Sequence, residues 1–443
     1  MNLFQHQTQA VEAMIRAEGF LLADECGLGK TAAVAVAGCH RAAEQGGEDI
    51  LVICPRNVIT HWKNTFAAFC PQFPASKIKV TNYERLKNLS MADVQGVGVL
   101  IVDEMHKVKS ETSQRFAILY HLWEAMNQAC AFRGHVLTVY GSTGTPVYSY
   151  PIDLMTILLL LKKLRWQDIP TFKARYCNPT RRNMPSRKGA LDFRGASNLD
   201  ELARDCAGFI MRRSWKDAGV KMPALTMTTI EVNEKVTSPE YLKAAEDFKA
   251  YYVSTGGKPS GAGMARFTLY RRLLAVAKVP AVIEQALDDL RGGQHTFVLS
   301  EFREAATAIY EGLVAEGQPA GLIMGGQTAK ARQDIIDSFI AAKGPAVIVA
   351  TTDSIGEGTD GLQRVCHLVN FVDHDFEPAM FVQALRRLWR WGQKDPVAVR
   401  RFVIVGDSME AFISSNLARK EGYMRALGLE DTTSMNNLLK GKP

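Results

Sequence analysis

The sequence lacks the features that would mark a zinc-binding, secreted or membrane-spanning protein. Its eight cysteines are at least 13 residues apart, so no CxxC pair is present to suggest a zinc finger or knuckle. The first ten residues have neither a basic start nor an apolar run, so they do not resemble a signal peptide. The longest apolar stretch, Leu154–Leu161, is far shorter than the ~20 residues that cross a bilayer. We therefore expect a protein without membrane spans in the reducing cytoplasm.

The sequence also carries little net charge for its length, and that charge is unevenly placed. The 443 residues include 53 basic and 46 acidic ones, a net charge of +7, while residues 162–221 alone hold 15 basic and 6 acidic residues. Such a surplus fits either a polyanionic partner or a solvated surface. The 47% of hydrophobic residues excludes a disordered or collagen-like chain, and the length suits two or three domains.

Unbroken apolar runs alternate with helical patterns over residues 1–150 and again over 278–428. Such runs predict parallel strands covered by helices on both faces. The segment between them, 151–277, predicts helices interrupted by flexible stretches at 178–197 and 254–263, and residues 429–443 form a tail. The predicted strands are Phe20–Ala23, Ile50–Cys54, Val97–Val102, His135–Tyr140, Thr296–Leu299, 320–323, Ala346–Ala350, 366–371 and 397–405.

The strongest local motif is the segment 24–31, DECGLGKT, which follows an apolar run and opens a predicted helix. Gly27 and Gly29 would let backbone N–H groups approach phosphates, and Lys30 would reach the β and γ phosphates of ATP. The Thr31 hydroxyl would ligate Mg²⁺. Asp24 stands where the usual phosphate-loop pattern has glycine. A chance Gly-Lys-Thr turn is the alternative, but the strand–loop–helix setting favours a nucleotide site.

Two acids, Asp103 and Glu104, directly follow the buried strand 97–102. They would therefore lie at the carboxyl edge of the sheet, where ligands bind in such folds. Asp103 would hold Mg²⁺ through water, and Glu104 would orient and deprotonate the attacking water. A solvated turn is the alternative, but the phosphate loop earlier in the chain favours catalysis.

A third motif, QALRRLWRWGQ at 383–393, falls on a predicted helix. Arg387 and Arg390 are three residues apart and would share a face of it. Two guanidinium groups aimed at a cleft can stabilise the charge of a transferring γ-phosphoryl group. A basic, solvated helix face is the alternative. Trp389 and Trp391 could stack on bases, but packing is the more common role of tryptophan on such a helix.

Taken together and in order, these motifs resemble those of the SWI/SNF-type ATPases of helicase superfamily two. That family also carries Asp-Glu at the start of its phosphate loop, so Asp24 becomes a match. DEMH resembles the family's DEAH-type box, and 383–393 resembles QxxDRxxRxGQ with Arg386 in place of the usual Asp. Further matches are His6-Gln7, which resembles the adenine-reading motif, and 51–62, which resembles the first DNA-contacting motif. Ser142–Pro146 resembles the motif that couples hydrolysis to movement. Phe209–Arg213 with Lys216-Asp217 resembles the family's RR-x-K-D element, and 350–358 with 360–363 resembles motif five.

The middle segment resembles the distant branch that contains fork-remodelling, strand-annealing translocases. The similar pieces are 172–177, 195–198, 201–202 and 278–283. Prokaryotic and phage relatives share the Asp-Gly-Leu-Gln form of motif five. The resemblance therefore suggests a bacterial protein or one from a phage-infected cell.

The resemblance implies two tandem RecA-like P-loop NTPase lobes, α/β in class, with a helical insert between them. It implies a monomeric, DNA-stimulated ATPase that uses Mg²⁺ and moves along duplex or forked DNA. A strand-separating or annealing helicase, and a nucleic-acid-binding module with a vestigial ATPase, are the alternatives. Arg212 and Arg213 could brace the cleft as ion-paired residues. The implied site comprises Gln7, Gly27, Gly29, Lys30, Thr31 and Gln383 for nucleotide, Thr31 and Asp103 for metal, Lys30, Glu104, Arg387 and Arg390 for catalysis, and Arg56 and Thr351 for DNA phosphates.

Overall fold

A computed structural model of the chain describes residues 2–144, 146, 150–181, 191–233, 238–254, 262–355, 361–373, 381, 384–390, 392–407 and 410. These residues form two compact units, and the chain passes from the first to the second between Lys221 and Met222. That residues 151–277 form a separate helical insert, and the domain limits inferred from the sequence, stay predictions. No helix in the described ranges is both long and apolar enough to cross a membrane.

The first unit is built on a six-stranded sheet in which every pair of neighbouring strands is parallel. Its strands are β1 (Gly19–Leu22), β2 (Asp49–Cys54), β3 (Ile78–Asn82), β4 (Val97–Asp103), β5 (Thr138–Ser142) and β8 (Ile210–Met211), in the order β3-β2-β4-β5-β1-β8. Its helices are α1 (Gln5–Ile15), α2 (Lys30–Glu44), α3 (Ile59–Phe69), α4 (Gln114–Phe132), α5 (Met155–Leu160), α6 (Ile169–Tyr176) and α7 (Leu199–Cys206). A small antiparallel pair, β6 (Thr180–Arg181) and β7 (Leu191–Asp192), stands apart from the sheet.

Both faces of this sheet are buried, which explains why its strands are apolar without alternation. Leu51 and Ile53 of β2 join one hydrophobic cluster, while Ile50 and Val52 join the cluster on the opposite face. All four side chains are fully buried. Because neither face meets solvent, β-branched and leucine residues occupy successive positions, as parallel sheets require.

The second unit repeats this plan with another six-stranded parallel sheet. Its strands are β9 (Leu225–Val232), β10 (Thr296–Ser300), β11 (Ala320–Ile323), β12 (Val347–Thr351), β13 (Leu368–Phe371) and β14 (Val397–Ile404), in the order β11-β12-β10-β13-β14-β9. Its helices are α8 (Pro239–Ser254), α9 (Ala262–Ala277), α10 (Val279–Arg291), α11 (Arg303–Ala315) and α12 (Ala329–Ile340).

Most predicted elements are confirmed, and two differences have physical causes. Residues 151–277 are not helical throughout, because β8 joins the edge of the first sheet and β9 the edge of the second. As an edge strand, β9 leaves much of its surface exposed, so its threonines and Glu231 break the apolar run that marks inner strands. The strand predicted at 135–140 is β5, which begins at Thr138 because the preceding residues form a turn after α4.

Candidate functional site

The carboxyl edge of the first sheet gathers the residues that the sequence motifs singled out. In a parallel sheet all strands end at one edge, so loops distant in sequence meet there. β1 ends just before the glycine-rich loop, β4 ends at Asp103, and β5 ends at Ser142. β4 pairs with β5, and β5 pairs with β1, so these three strand ends are neighbours.

The glycine-rich loop needs its glycines for both conformation and space. Gly27 has φ +91° and Gly29 has φ +72°, a region that other L-residues rarely adopt. A Cβ on Gly29 would lie 2.3 Å from Nε2 of Gln7, and one on Gly27 would lie 2.6 Å from the ring of Trp215. Gly29 is also the N-cap of α2, so the loop leads directly into a helix N-terminus.

The predicted nucleotide residues Lys30 and Gln7 both contact this loop. Lys30 Nζ donates to the carbonyl oxygens of Asp24 (2.8 Å) and Glu25 (3.4 Å). Gln7 Nε2 donates to Gly29 O at 3.1 Å, while its Oε1 accepts from the backbone of the residue at the N-cap of α1 at 2.9 Å. Gln7 is thus a buried link between α1 and the loop.

Asp24 and the two arginines that follow β8 hold the start of the loop. Arg213 donates two hydrogen bonds to the Asp24 carboxylate, which is 2% exposed. Arg212 Nη1 donates to the carbonyls of Ala23 and Gly144, each at 3.0 Å. The backbone of Glu25 also donates to Arg213 O at 3.0 Å. The arginines therefore brace the loop within the first unit, Arg213 through an ion pair and Arg212 through backbone carbonyls, whereas the sequence interpretation expected both to be ion-paired.

Asp103 is held by three donors from different parts of the unit. Trp62 Nε1 donates to its Oδ2 at 2.8 Å, and Ser142 Oγ donates to its Oδ1 at 2.6 Å. The backbone of Glu104 donates to the same Oδ1 at 3.1 Å. Burial and the negative charge of Glu104 raise the pKa of Asp103 to about 6, although these hydrogen bonds and Lys30 oppose the rise.

Glu104 adopts a left-handed backbone conformation, φ 50° and ψ 53°, that is uncommon for a residue with a side chain. Its Oε2 lies 3.2 Å from Nδ1 of His106 and accepts from Thr143 Oγ1 at 3.4 Å. Burial would raise the pKa of Glu104, but the hydrogen bond and charge of His106, with Lys30, lower it to about 2. Glu104 is therefore ionised at neutral pH, and strained backbone of this kind is often found at functional sites.

The sequence motifs did not single out Trp62, His106 and Thr143 individually, although each lies within or beside a motif. Trp62 ends the segment 51–62, and Thr143 belongs to the Ser-Thr-Gly-Thr-Pro element. Their role as partners of the acids depends on strand order, which brings β5 beside β4. The available signal in the sequence was the Ser-Thr-Gly-Thr-Pro element, which places hydroxyl groups at the end of a strand.

The residues present fit a magnesium–nucleoside triphosphate. The N-terminus of α2, the glycine backbone and Lys30 are donors suited to phosphate oxygens. Lys30 is close enough to lower the pKa of both Asp103 and Glu104, so one ammonium and two carboxylates share the site. No cluster of three or more metal-ligating side chains occurs among the described residues. A hydroxyl and one carboxylate would suit Mg²⁺, which usually keeps several waters.

Comparison with known families shows which family the chain belongs to. The model of the SNF2-related domain matches residues 6–95 and 73–260, more than half of the chain. The chain belongs to the SNF2-related family. The model of the helicase conserved C-terminal domain matches residues 277–392 as well. The SNF2-related chain therefore carries both conserved segments of a helicase superfamily two ATPase, as its motifs predicted.

Individual relatives are distant. The chain is 25% identical over 425 residues to the SWI/SNF-related matrix-associated actin-dependent regulator of chromatin subfamily A-like protein 1 of Xenopus tropicalis, covering 91% of this chain and 43% of that protein. It is 24% identical over 447 residues to the DNA annealing helicase and endonuclease ZRANB3 of Mus musculus, covering 95% and 40%. It thus spans less than half the length of these relatives. The solved SWI2/SNF2 ATPase core of Sulfolobus solfataricus with dsDNA is similar at 21% identity and a TM-score of 0.42, over 100% of this chain and 97% of that one.

The segment 383–393 of this SNF2-related chain belongs to the second unit. The helix predicted for the segment 383–393 is wrong for 386–390, where the described chain forms successive turns, so Arg387 and Arg390 do not share a regular helix face. Arg386 lies over the ring of Trp389, with its Cζ 4.4 Å from the centroid. Trp389 is buried and donates to Pro223 O at 2.9 Å, which fits the packing interpretation. Gln383, Trp391 and residues 356–360 lie outside the described residues.

The two residues expected to contact DNA phosphates lie in different environments. Arg56 is exposed in a short 3₁₀ helix directly after β2, at the carboxyl edge of the first sheet. Thr351 ends β12 and is 1% exposed, and its Oγ1 has no hydrogen-bond partner in the described chain. A phosphate could reach Arg56 directly, whereas Thr351 would first have to be uncovered.

Part of the positive charge in residues 162–221 is paired within the first unit. Glu111 pairs with Lys173, and Asp24 pairs with Arg213, so acids outside this segment neutralise part of its surplus. Within the segment, Arg165 pairs with Asp168, Arg175 with Glu201, and Arg194 with Asp192. The surplus counted from sequence therefore overstates the charge available to a polyanion.

Proposed function

We propose that this chain is a DNA-stimulated ATPase that translocates on duplex or forked DNA and remodels it during replication, recombination or repair. The observation that supports this most is the carboxyl edge of the first sheet. There a glycine-rich loop ending in Lys30 lies beside Asp103 and Glu104, and Ser142 and Thr143 hydrogen-bond to these two acids. The loop can receive phosphates while the acids serve a metal and a water.

The chain's residues divide the chemical work as follows. Gly27, Gly29 and Lys30 bind phosphate oxygens, and Gln7 holds the loop and faces the base. Thr31 and Asp103 hold Mg²⁺, which when bound neutralises charge on the phosphates. Glu104, ionised at neutral pH, orients the attacking water and takes its proton. The resemblance adds Gln383 as a nucleotide-binding residue, and Arg387 and Arg390 as residues that stabilise the charge developing on the γ-phosphoryl group.

The Glu104→Gln variant tests this assignment. We expect it to bind Mg²⁺–ATP like the wild type and to hydrolyse it at least about 100-fold more slowly, because a positioned general base contributes ~10²–10⁴ in rate. Hydrolysis should be measured with single-stranded, duplex and forked DNA at one salt concentration. Glu84→Gln, which changes an exposed side chain of a partly buried 3₁₀ helix, is the matched control. A Glu104→Gln protein that is as active as the wild type would remove the catalytic assignment.

A strand-annealing or strand-separating activity is the second candidate. It is favoured by the similarity to a relative whose name is DNA annealing helicase and endonuclease. A pure duplex translocase should displace the third strand of a triplex without separating a duplex. A strand-separating motor should release a strand from a fork, and an annealing motor should accelerate pairing of complementary strands. Running the three assays side by side with Glu104→Gln as the inactive control distinguishes these activities.

DNA binding should depend mainly on phosphate contacts, since a motor must ignore base sequence. Arg56 and Thr351 are the proposed contacts in the two units. Arg181 is exposed, whereas Arg194 is paired with Asp192. Arg181→Gln should reduce the slope of log affinity against log salt by about 0.9 if this arginine touches DNA, and Arg194→Gln should change it less. Equal slopes for the wild type and both variants would show that these arginines serve solubility and not DNA binding.

The proposal extends to a monomer acting in the cytoplasm of a bacterium or a phage-infected cell. The two relatives compared by sequence above come from animals, so the proposed origin rests on the motif-five variant alone. Light scattering on the purified protein, with and without a short DNA duplex, tests the monomer. A mass twice the 48.9 kDa of the chain in both conditions would contradict it.

A further inference from the structure

Tyr83 is a buried phenol that lies beside the two acids of the site and belongs to none of the sequence motifs. It directly follows the edge strand β3, and it is 5% exposed. Its hydroxyl oxygen lies 2.5 Å from Asp103 O and 3.2 Å from Glu104 O. Because a backbone carbonyl can only accept, the phenol is the donor in both contacts. One side chain is therefore bonded to the backbone of both acids.

The phenol reaches these carbonyls across a strand that separates it from the acids. The sheet places β2 between β3 and β4, so Tyr83 and the end of β4 are not neighbours by strand pairing. The turn that begins at Tyr83 is fixed by Asn82, whose side chain accepts from the backbone of Arg85 at 3.0 Å. The ring of Tyr83 belongs to the same hydrophobic cluster as Met105, the residue after Glu104. The hydroxyl is thus held in place by both the turn and the packed ring.

The backbone of Glu104 shows what the phenol stabilises. Its φ of 50° and ψ of 53° are unfavourable for a residue with a Cβ, and such a conformation persists only where the surroundings enforce it. In an extended strand successive carbonyl groups point to opposite sides, whereas those of Asp103 and Glu104 converge on one hydroxyl. The left-handed turn at Glu104 brings the two carbonyls together. It also sets the direction in which the Glu104 side chain leaves the backbone.

We propose that Tyr83 is a positioning residue for hydrolysis, whose hydroxyl holds Asp103 and Glu104 in the left-handed turn that aims the Glu104 carboxylate at the attacking water. This inference rests on the proposed function, in which Glu104 takes the proton of that water. Tyr83 acts through Glu104 and not on the nucleotide. Its hydroxyl therefore contributes to the chemical step and not to the affinity for nucleotide.

The Tyr83→Phe variant keeps the ring and removes the hydroxyl. With duplex DNA and saturating Mg²⁺–ATP, kcat should fall about tenfold, a part of the ~10²–10⁴ that a positioned general base contributes. The Kd for ADP, measured by calorimetric titration, should stay at the wild-type value. A wild-type kcat in a folded Tyr83→Phe protein would overturn the inference.

Tyr140→Phe is the matched control in the same unit. Tyr140 is also buried, and its hydroxyl also donates to a backbone carbonyl, that of Met14, at 2.8 Å. Both variants should lower the melting temperature by similar amounts, because each loses one buried hydrogen bond. Only Tyr83→Phe should lower kcat. An equal loss of kcat in Tyr140→Phe would show that reduced stability, and not the position of the acids, slows hydrolysis.

A double variant tests whether Tyr83 acts through Glu104. Adding Tyr83→Phe to Glu104→Gln should cause no further loss of kcat, because the base that the phenol positions is already absent. A general structural role would slow hydrolysis in either background. Single-turnover hydrolysis measures these slow rates, and a further loss as large as that in the wild-type background would overturn the inference.

A second substitution keeps the inference testable if Tyr83→Phe does not fold. Replacing Tyr83 by para-aminophenylalanine puts an N–H donor where the hydroxyl was, so kcat should stay close to the wild-type value. A folded protein of this kind that hydrolyses ATP far below the wild-type rate would overturn the inference. The proposed function fails separately, if the wild type hydrolyses no ATP with any DNA or if Glu104→Gln is fully active.

Discussion

The two units place an aspartate and a serine in the same arrangement, yet their surroundings differ. In the first unit Asp103 ends β4 and accepts from Ser142 on the neighbouring strand β5. In the second unit Asp373 follows β13 and accepts from Ser300 on the neighbouring strand β10. Burial raises the pKa of both aspartates. Adjacent parallel strands that end at one edge suffice to produce this pair.

The residues around each aspartate–serine pair distinguish the proposed nucleotide site in the first unit from the second edge. Beside Asp103 lie the glycine-rich loop and Lys30, whose charge lowers the pKa of that carboxyl. Beside Asp373 lies Glu301, whose backbone donates to it and whose carboxylate pairs with Arg271. The acids of the second edge are therefore satisfied by protein groups, while those of the first share their edge with a loop that suits phosphates. The loop, and not the aspartate–serine pair, is therefore what distinguishes the first edge from the second.

The largest expected effect follows from removing the cation that distinguishes the first edge. Lys30→Ala should lower ATP hydrolysis by at least about 100-fold, because a preorganised positive group beside the transferring phosphoryl group is lost. Steady-state hydrolysis with saturating duplex DNA measures this. Lys87→Ala, which removes an exposed side chain of a 3₁₀ helix in the same unit, should hydrolyse ATP at the wild-type rate. Near-normal ATP hydrolysis by Lys30→Ala would contradict the view that Lys30 distinguishes the first sheet edge from the second.

The next largest effect compares one buried ion pair from each unit. Asp24 and Arg213 pair in the first unit, with side chains 2% and 13% exposed, and Lys278 and Glu410 pair in the second, at 2% and 5%. Removing one partner of a buried pair leaves an uncompensated charge and costs ~3–5 kcal/mol. Arg213→Met and Lys278→Met should therefore lose similar stability in urea unfolding.

Only Arg213→Met should also weaken nucleotide binding, because Asp24 begins the phosphate loop. Calorimetric titration of ADP, at a temperature where both variants remain folded, measures this. The pair of exposed residues Arg165 and Asp168 is the matched control, since breaking a surface pair costs at most about 1 kcal/mol. Equal loss of ADP affinity in both methionine variants would show that stability alone, and not loop position, controls binding.

The sequence predicted the local parts of this architecture well. The inner strands are apolar because both faces are buried, and the strand β11 was predicted at 320–323, the bounds that the structure has. The phosphate loop and the acids after β4 were found because each motif is contiguous. Such features depend on neighbours in the chain, so periodicity and motif spacing are enough to locate them.

Contacts between distant residues were beyond the reach of sequence patterns. Arg213 pairs with Asp24 across 189 positions, and Trp62 reaches Asp103 across 41. Both contacts depend on strand order: β8 lies beside β1, and β2, which precedes α3, lies beside β4. The edge strand β9 escaped prediction because its exposed positions carry polar residues. The turns at 386–390 escaped because helical spacing does not show where a helix ends.

A smaller effect is expected when Asp103 and Asp373 are each replaced by asparagine. Three donors converge on Asp103, from Trp62, Ser142 and the backbone of Glu104. An asparagine oxygen cannot accept all three, because its NH₂ group would face the indole or the backbone N–H. Asp103→Asn should therefore cost ~1–3 kcal/mol in the free energy of unfolding. Denaturant unfolding in the absence of nucleotide measures this cost.

Asp373→Asn should be tolerated at neutral pH. Its oxygen can accept from the backbone of Glu301, and its NH₂ can donate to Ser300 Oγ, which can turn its own hydrogen to Phe302 O. The cost should stay below about 1 kcal/mol. A larger loss for Asp373→Asn than for Asp103→Asn would reverse the comparison between the two edges.

The smallest expected effect is a pH dependence with a defined sign. Burial raises the pKa of folded Asp373 above the ~3.9 of an unfolded chain, so between these values the native state binds more protons than the unfolded state. Its contribution to the free energy of unfolding is thus complete in acid and falls as the pH rises through that window. Asp373→Asn cannot titrate, so its stability relative to the wild type should increase as the pH is raised from about 4 toward neutrality. Urea unfolding of both proteins over that range measures the difference, and a constant difference would show that Asp373 is ionised in the folded and unfolded states alike.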